Sequence, residues 1–289
     1  KAAACAEGSF GDATGLVAQA ECTVCPAGTY CFASSTAATK CSPGTVAPSS
    51  GMGACDACEA GTFQDQPGQE ACKPCAPGSY CPLGASAALP CAEGSYSSDT
   101  NLTSPAECTP TDAGHSASTA STVQAKCTPG TVAPNASMGA CDACGAGTFQ
   151  DQQGQETCQP CTPGSYCTEG AAAHLPCKEG TFSVATNLTS ANQCKQTSLG
   201  HYASTGSTVQ TKCSPGTVAP SSGMGACDAC EAGTFQDQPG QEACKPCAPG
   251  SYCPLGASAA LPCEGGTFGS QTGVQSKASC ISCPAGTYC

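Results

Sequence analysis

The sequence contains no arginine and no tryptophan, and only three histidines. Without arginine there is no bidentate fork for phosphate, and the nine lysines stand singly in the sequence, which speaks against a surface that tracks a nucleic-acid backbone. No apolar run approaches the ~18 residues that a membrane-spanning helix needs. Nine Leu, nine Val, one Ile and seven Phe make up about 9% of the residues. A chain this poor in large apolar side chains does not close a conventional core, and without cross-links it would be disordered. The net charge of −12 serves mainly solubility. Neither an initiator Met nor a signal peptide stands at Lys1, although secretion requires one, and a module breaks off at Cys289 just after it opens. The expectation is a slice of a longer chain.

Cysteine fills the gap. Thirty cysteines in 289 residues exceed 10%, the level of a disulfide scaffold. Stable disulfides need an oxidising compartment, and an even count leaves no obligatory free thiol, so the expected location is extracellular, at a cell surface.

The 51 residues from Cys41 to Cys91 recur unchanged from Cys213 to Cys263, and a diverged copy runs from Cys127 to Cys177. Each copy begins 86 residues after the last, which marks an array. The division is a partial repeat over 1–40, then repeats over 41–126 and 127–212, and a truncated one over 213–289.

A finer unit lies within this period. Every second cysteine opens the pattern Cys-x-x-Gly-[Ser/Thr]-[Phe/Tyr/Val], as at Cys5, Cys58 and Cys75, and none of the remaining fifteen carries it. Cysteines thus divide into openers and closers. The simplest pairing joins each opener to the next closer. In the first part of the chain this gives Cys5–Cys22, Cys25–Cys31, Cys41–Cys55, Cys58–Cys72, Cys75–Cys81 and Cys91–Cys108. The second copy gives Cys127–Cys141, Cys144–Cys158, Cys161–Cys167 and Cys177–Cys194, and the third Cys213–Cys227, Cys230–Cys244, Cys247–Cys253, Cys263–Cys280 and Cys283–Cys289. Missing cysteines favour it: shifting Cys25 and Cys31 by 86 residues lands on Thr111 and Ala117, and by another 86 on Thr197 and Ala203, a joint loss each time. The rival pattern crosses Cys75–Cys91 with Cys81–Cys108, and the sequence leaves both open.

Glycine three places after the opener suits a turn with positive φ, and the small–aromatic pair after it suits a short strand whose large side chain covers the disulfide. Pro-Gly at Pro43-Gly44, Pro77-Gly78, Pro129-Gly130 and Pro163-Gly164 strengthens the turn. The predicted fold is a small disulfide-rich chain of short irregular β-hairpins, forming an elongated, solenoid-like repeat rod with almost no helix. Closing a ~15-residue loop removes about 3 kcal/mol of unfolded-chain entropy, and fifteen closures stand in for the missing core. Two cysteine-free links, Thr109 to Lys126 and Lys195 to Lys212, read as regular spacers and the only hinges worth naming.

Zinc is the rival use of the cysteines, since Cys55, Cys58, Cys72 and Cys75 come close to a four-thiolate ribbon. The central gap is short, however, and Cys81 and Cys91 would be left out. No metal or other cofactor is expected. His115 and His201 are equivalent spacer positions, and His174 stands where the other copies have Ala88 and Ala260; none adjoins a nucleophile pattern, so no enzyme is expected. Asp56, Glu59, Asp65 and Glu70 lack acid/base pairing or calcium-loop spacing and read as solvated charge, with at most weak calcium contact. Asn101-Leu-Thr, Asn135-Ala-Ser and Asn187-Leu-Thr are acceptor sequons for N-linked glycan, with Asn101 and Asn187 at the same repeat position.

At its openers and its Cys-x2-Cys joints, such as Cys72-Lys-Pro-Cys75-Ala-Pro-Gly-Ser-Tyr80, the chain resembles the ephrin-receptor-like cysteine-rich repeat family over essentially its whole length. That resemblance implies a scaffold. Family members form disulfide-stapled ectodomains of animal receptors and long arrays in protist surface proteins, including ciliate surface antigens and the subunits of mastigonemes, the hair-like fibres of algal flagella. The near-perfect duplication is more similar to the protist arrays. The expected role is an extracellular structural protein of a fibre or surface coat, on a cell or flagellar surface. Its expected partners are copies of itself or other fibre subunits along a periodic surface, with attached glycans, no nucleic acid and no membrane insertion. The alternative is a receptor or adhesin stalk, and the loss of cysteine at Thr111 and Ala117 departs from the family pattern.

Overall fold

The computed structural model describes residues 4–289. Among these residues there is no α-helix: thirty-two two-residue strands pair as sixteen two-stranded sheets, and four single 3-10 turns sit at 19–21, 105–107, 191–193 and 277–279. The unit is one hairpin module, of which Cys58–Pro74 is typical. Its opener leads into a β-turn in which Thr62 N donates to the carbonyl of Glu59 at 3.0 Å, with Gly61 at φ 88° in the third position. Proline suits the second place of such a turn and glycine the third, which accounts for the recurrent Pro-Gly. The Thr62 hydroxyl donates to the same Glu59 carbonyl at 2.7 Å, as Thr45 does to Ser42 and Ser95 to Ala92. That second bond is the reason for Ser or Thr after the glycine.

The first strand of the module, Thr62–Phe63, pairs antiparallel with Lys73–Pro74, the two residues between closer Cys72 and the next opener Cys75. The Cys-x2-Cys joint is therefore itself a strand, and Cys75 N closes the hairpin on the carbonyl of Gly61 at 2.9 Å. Proline is tolerated there because a two-stranded ribbon leaves one edge unpaired.

Modules are held to the next by backbone as well as by side chains. Gly61 N donates to the carbonyl of Cys81 at 2.8 Å, Gln64 N to Ala85 at 3.1 Å, and Gly84 N returns to the opener carbonyl of Cys58 at 2.8 Å. Where a buried cluster forms, the large side chain of a strand covers a disulfide, but that of the following module. Phe63 packs on Cys75, Cys81 and Ala85, and Tyr80 on Cys91, Cys108 and Leu102. Contact reaches two modules along as well: a Cβ on Gly61 would lie 2.6 Å from the carbonyl oxygen of Asn101. In place of one core there are small separate clusters, each a disulfide, one plug residue and one ring.

The two spacer links turn out to be complete modules. His115–Ser116 pairs with Ala125–Lys126, and His201–Tyr202 with Thr211–Lys212. Thr111 and Thr197 stand at the opener position and Ala117 and Ala203 at the closer, all four buried. The Thr111 hydroxyl accepts Met138 N at 3.1 Å, and that of Thr197 accepts Gly223 N at 3.0 Å and Met224 N at 3.1 Å. A hydroxyl to the next module thus replaces the missing cystine, and the hinge reading gives way to folded hairpins. Five modules make one 86-residue period.

The chain divides into two compact units: one comprises the chain up to Thr128 with Val132–Asp142 and Gln152–Thr157, the other Pro129–Thr131, Ala143–Asp151 and Cys158–Cys289. The division falls inside the second copy.

Candidate interaction surface and modification sites

The cysteines come together as opener and next closer throughout. The structure joins Cys75 to Cys81 and Cys91 to Cys108, and all fifteen bonds follow this rule. Their Cα–Cα distances, 5.7 to 6.2 Å, lie within the range that a cystine spans. Cys55 and Cys58, which the zinc arrangement would bring to one ion, are bonded to Cys41 and Cys72. Peptide mapping of the non-reduced protein is expected to recover Cys75 linked to Cys81; a Cys75–Cys91 peptide would overturn this pairing.

Each sequon can be placed. Asn101 and Asn187 are exposed at φ 61°, on a left-handed turn where the same loop elsewhere carries Gly15 or Gly273. Between Asn and Thr, the leucine points inward: Leu102 is 6% exposed and Leu188 8%, each against a cystine. The Thr103 hydroxyl donates to Glu107 at 2.5 Å and that of Thr189 to Gln193 at 3.1 Å. This contact holds the Glu107 carboxyl below its usual range. Every residue of Asn-Leu-Thr therefore has a packing reason, with the Asn side chain left outside. Asn135 is exposed as well.

The charged residues lie at the surface, and three lysines pair there with a carboxylate: Lys73, Lys245 and Lys277. Lys73 Nζ lies 2.5 Å from Asp65 Oδ1 and 5.8 Å from the centroid of the Phe63 ring, and Lys245 repeats this with Asp237 at 2.6 Å and Phe235 at 6.0 Å. The lysine, by its hydrogen bond, lowers the pKa of each aspartate. A lowered carboxyl favours the fold above its unfolded pKa and loses that effect as pH falls through the folded value. Half-exposed surface pairs of this kind contribute little. In the diverged copy Gln159 takes the place of the lysine, and His174 meets the Phe149 ring edge-on at 5.5 Å. His115 and His201 donate Nδ1–H to the nearby carbonyls of Ala113 and Leu199 at 3.1 and 2.9 Å. Asp56, Glu59 and Glu70 are exposed. Among the described residues no three His, Cys, Asp or Glu side chains gather as a metal site, and no helix is long and apolar enough to cross a membrane.

What the identical copies repeat is a surface. Leu83 is 73% exposed and Leu255 72%, with Leu89 and Leu261 both at 41%. In the first copy the two leucines line a shallow hollow with Pro82, Ala85 and Ala87.

Sequence reasoning missed Gln64 and Gln236. Each is buried to 2% or less, with Nε2 donating to the carbonyl of Ala71 or Ala243 at 2.7 Å and Oε1 accepting Gln66 N or Gln238 N at 3.1 Å. Gln64 occupies the place in its module that Cys81 holds in the next, six residues after the opener. That alignment against the opener was the available signal. An amide with both ends satisfied is a stable occupant of such a site.

No family model matches the chain. A segment of 42 residues, 14% of the chain, is 50% identical to ephrin type-B receptor 3 of Gallus gallus. It spans 4% of that receptor's length. The similarity is thus to a small cysteine-rich part of a receptor, and it agrees with a disulfide-rich repeat matured in an oxidising compartment.

Proposed function

We propose that the chain is an extracellular structural protein, a disulfide-stapled module array that assembles laterally into a fibre or surface coat of the mastigoneme kind. The observation that carries this reading is duplication of surface. Cys41–Cys91 and Cys213–Cys263 offer the same leucines at the same exposure and the same Lys–Asp pair over a phenylalanine. Two equivalent patches on one chain bind two equivalent sites on copies of itself or on other fibre subunits, and linkage raises avidity when their spacings agree. No catalytic role is assigned, and carbohydrate at Asn101, Asn135 and Asn187 covers the intervening surface.

A receptor or adhesin stalk is the second reading, favoured by the match to ephrin type-B receptor 3. Negative-stain imaging of the native material separates the two. Filaments with a regular axial repeat are expected, each subunit losing carbohydrate mass with endoglycosidase; isolated flexible stalks would favour the receptor.

A further inference from the structure

Two of the sixteen hairpins, 111–126 and 197–212, hold no disulfide. Residues 109–126 separate Cys108 from Cys127, and residues 195–212 separate Cys194 from Cys213. No other stretch between successive disulfides is as long. The next longest, such as 82–90, are about half the length, and each belongs to a hairpin whose turn a disulfide still clasps, here Cys75–Cys81.

We propose that these two hairpins are the yield points of the array: under tension they open first and refold on release, while cystines keep their neighbours folded. What holds them is non-covalent. Gly94 N donates to the carbonyl of Ala117 at 2.8 Å, Ala117 N to Met138 at 3.1 Å, and Ala120 N to Cys91 at 3.0 Å. Thr111 contributes its hydroxyl to Met138 N, and Gln124 braces the turn by accepting Asp112 N at 2.8 Å. In the second hairpin Gly180 N donates to Ala203 at 2.7 Å, and Gln210 accepts Ser198 N at 2.7 Å. Such bonds break and re-form, whereas a cystine under the same pull limits its hairpin to the slack outside the loop. The buried closer positions hold only Ala117 and Ala203, so little apolar surface opposes opening. The two soft hairpins lie 86 residues apart, whereas the equivalent positions before and after them keep their cystines, Cys25–Cys31 and Cys283–Cys289.

The proposal concerns the single chain and holds whether or not it joins a fibre. Single-molecule stretching of the whole, non-reduced protein is expected to show two reversible low-force openings of equal length, each releasing about 60 Å of contour. The variant T111C/A117C/T197C/A203C has the backbone bonds that the Cys25–Cys31 module has: Gly94 N to Ala117 O matches Gly8 N to Cys31 O, and Ala117 N to Met138 O matches Cys31 N to Met52 O. Once mapping shows the two added disulfides, both openings should vanish. Wild-type openings of another length, or openings that persist in the oxidised variant, overturn the proposal. Hydrogen exchange on wild type provides a test free of the variant's folding. Amides of 111–126 and 197–212 should exchange at least about tenfold ahead of those in 58–74. Equal rates overturn it.

Discussion

Reduction of the disulfides in otherwise native buffer is expected to abolish the fold of both units, with loss of amide dispersion along the whole chain, while EDTA leaves the non-reduced protein unchanged. Each cluster consists of a disulfide and very little else: Cys75, Cys81 and Ala85 in one, Cys177, Leu188 and Cys194 in another. Broken bonds return about 3 kcal/mol of entropy to each ~15-residue loop. The one ring resting on each cluster, worth roughly 1.5 to 3 kcal/mol when fully buried, cannot offset that together with the ordering of its strands. Because modules contact only their near neighbours, reduction of one loosens those beside it, and the loss should spread along the array. Native dispersion in the reduced and alkylated chain would show that hydrogen bonds and rings suffice. A change with EDTA alone would point to a bound cation.

Replacing Gly147 by Ala should destabilise its stretch of chain by about 2 to 4 kcal/mol, whereas the same change at Gly145 should be neutral or slightly stabilising. Gly147 has φ 91°, where an L side chain is strained, and a Cβ there would stand 2.7 Å from the carbonyl oxygen of Asn187. That carbonyl is backbone of a turn whose Asn187 N already donates to Cys161 at 3.0 Å, so it cannot give way freely. Gly145 lies outside the left-handed region and has no atom within 4 Å of its Cβ position. Hydrogen exchange over 144–196 measures both variants. Equal protection in the two would remove the argument that modules read each other two steps along.

Much of the module was legible before its structure. The opener turn followed from glycine's freedom and the Pro-Gly pairs, because a positive φ constrains sequence strongly. The second strand was not legible: Lys73–Pro74 and Leu89–Pro90 show no β-propensity, and they pair only because opener and closer cysteines set their place. For the same reason the hairpins at Thr111 and Thr197 read as spacers. Their signal lies in Gly114, Gly200 and the buried threonines, which take meaning only once the module is known. Phe63 reaching the next module's cystine is a tertiary fact that two-residue strands cannot encode in a period. Asn101 read only as a sugar acceptor, while its left-handed backbone answers to a turn that Gly15 supplies elsewhere.

The division of the core into small separate clusters also bears on how quickly such a chain matures. Among the described residues no disulfide separates its partners by more than 17 residues, and the bond from Met138 N to the Thr111 hydroxyl spans 27. Folding rate falls with the sequence distance that contacts must bridge, and here that distance does not grow as copies are added. A module and its successor hold all the partners needed to set a cystine, so pairing can proceed residue by residue as the nascent chain enters an oxidising lumen. An opener then meets its own closer before the next one has been synthesised, and order of synthesis guards against scrambled bonds that thirty thiols released at once would form.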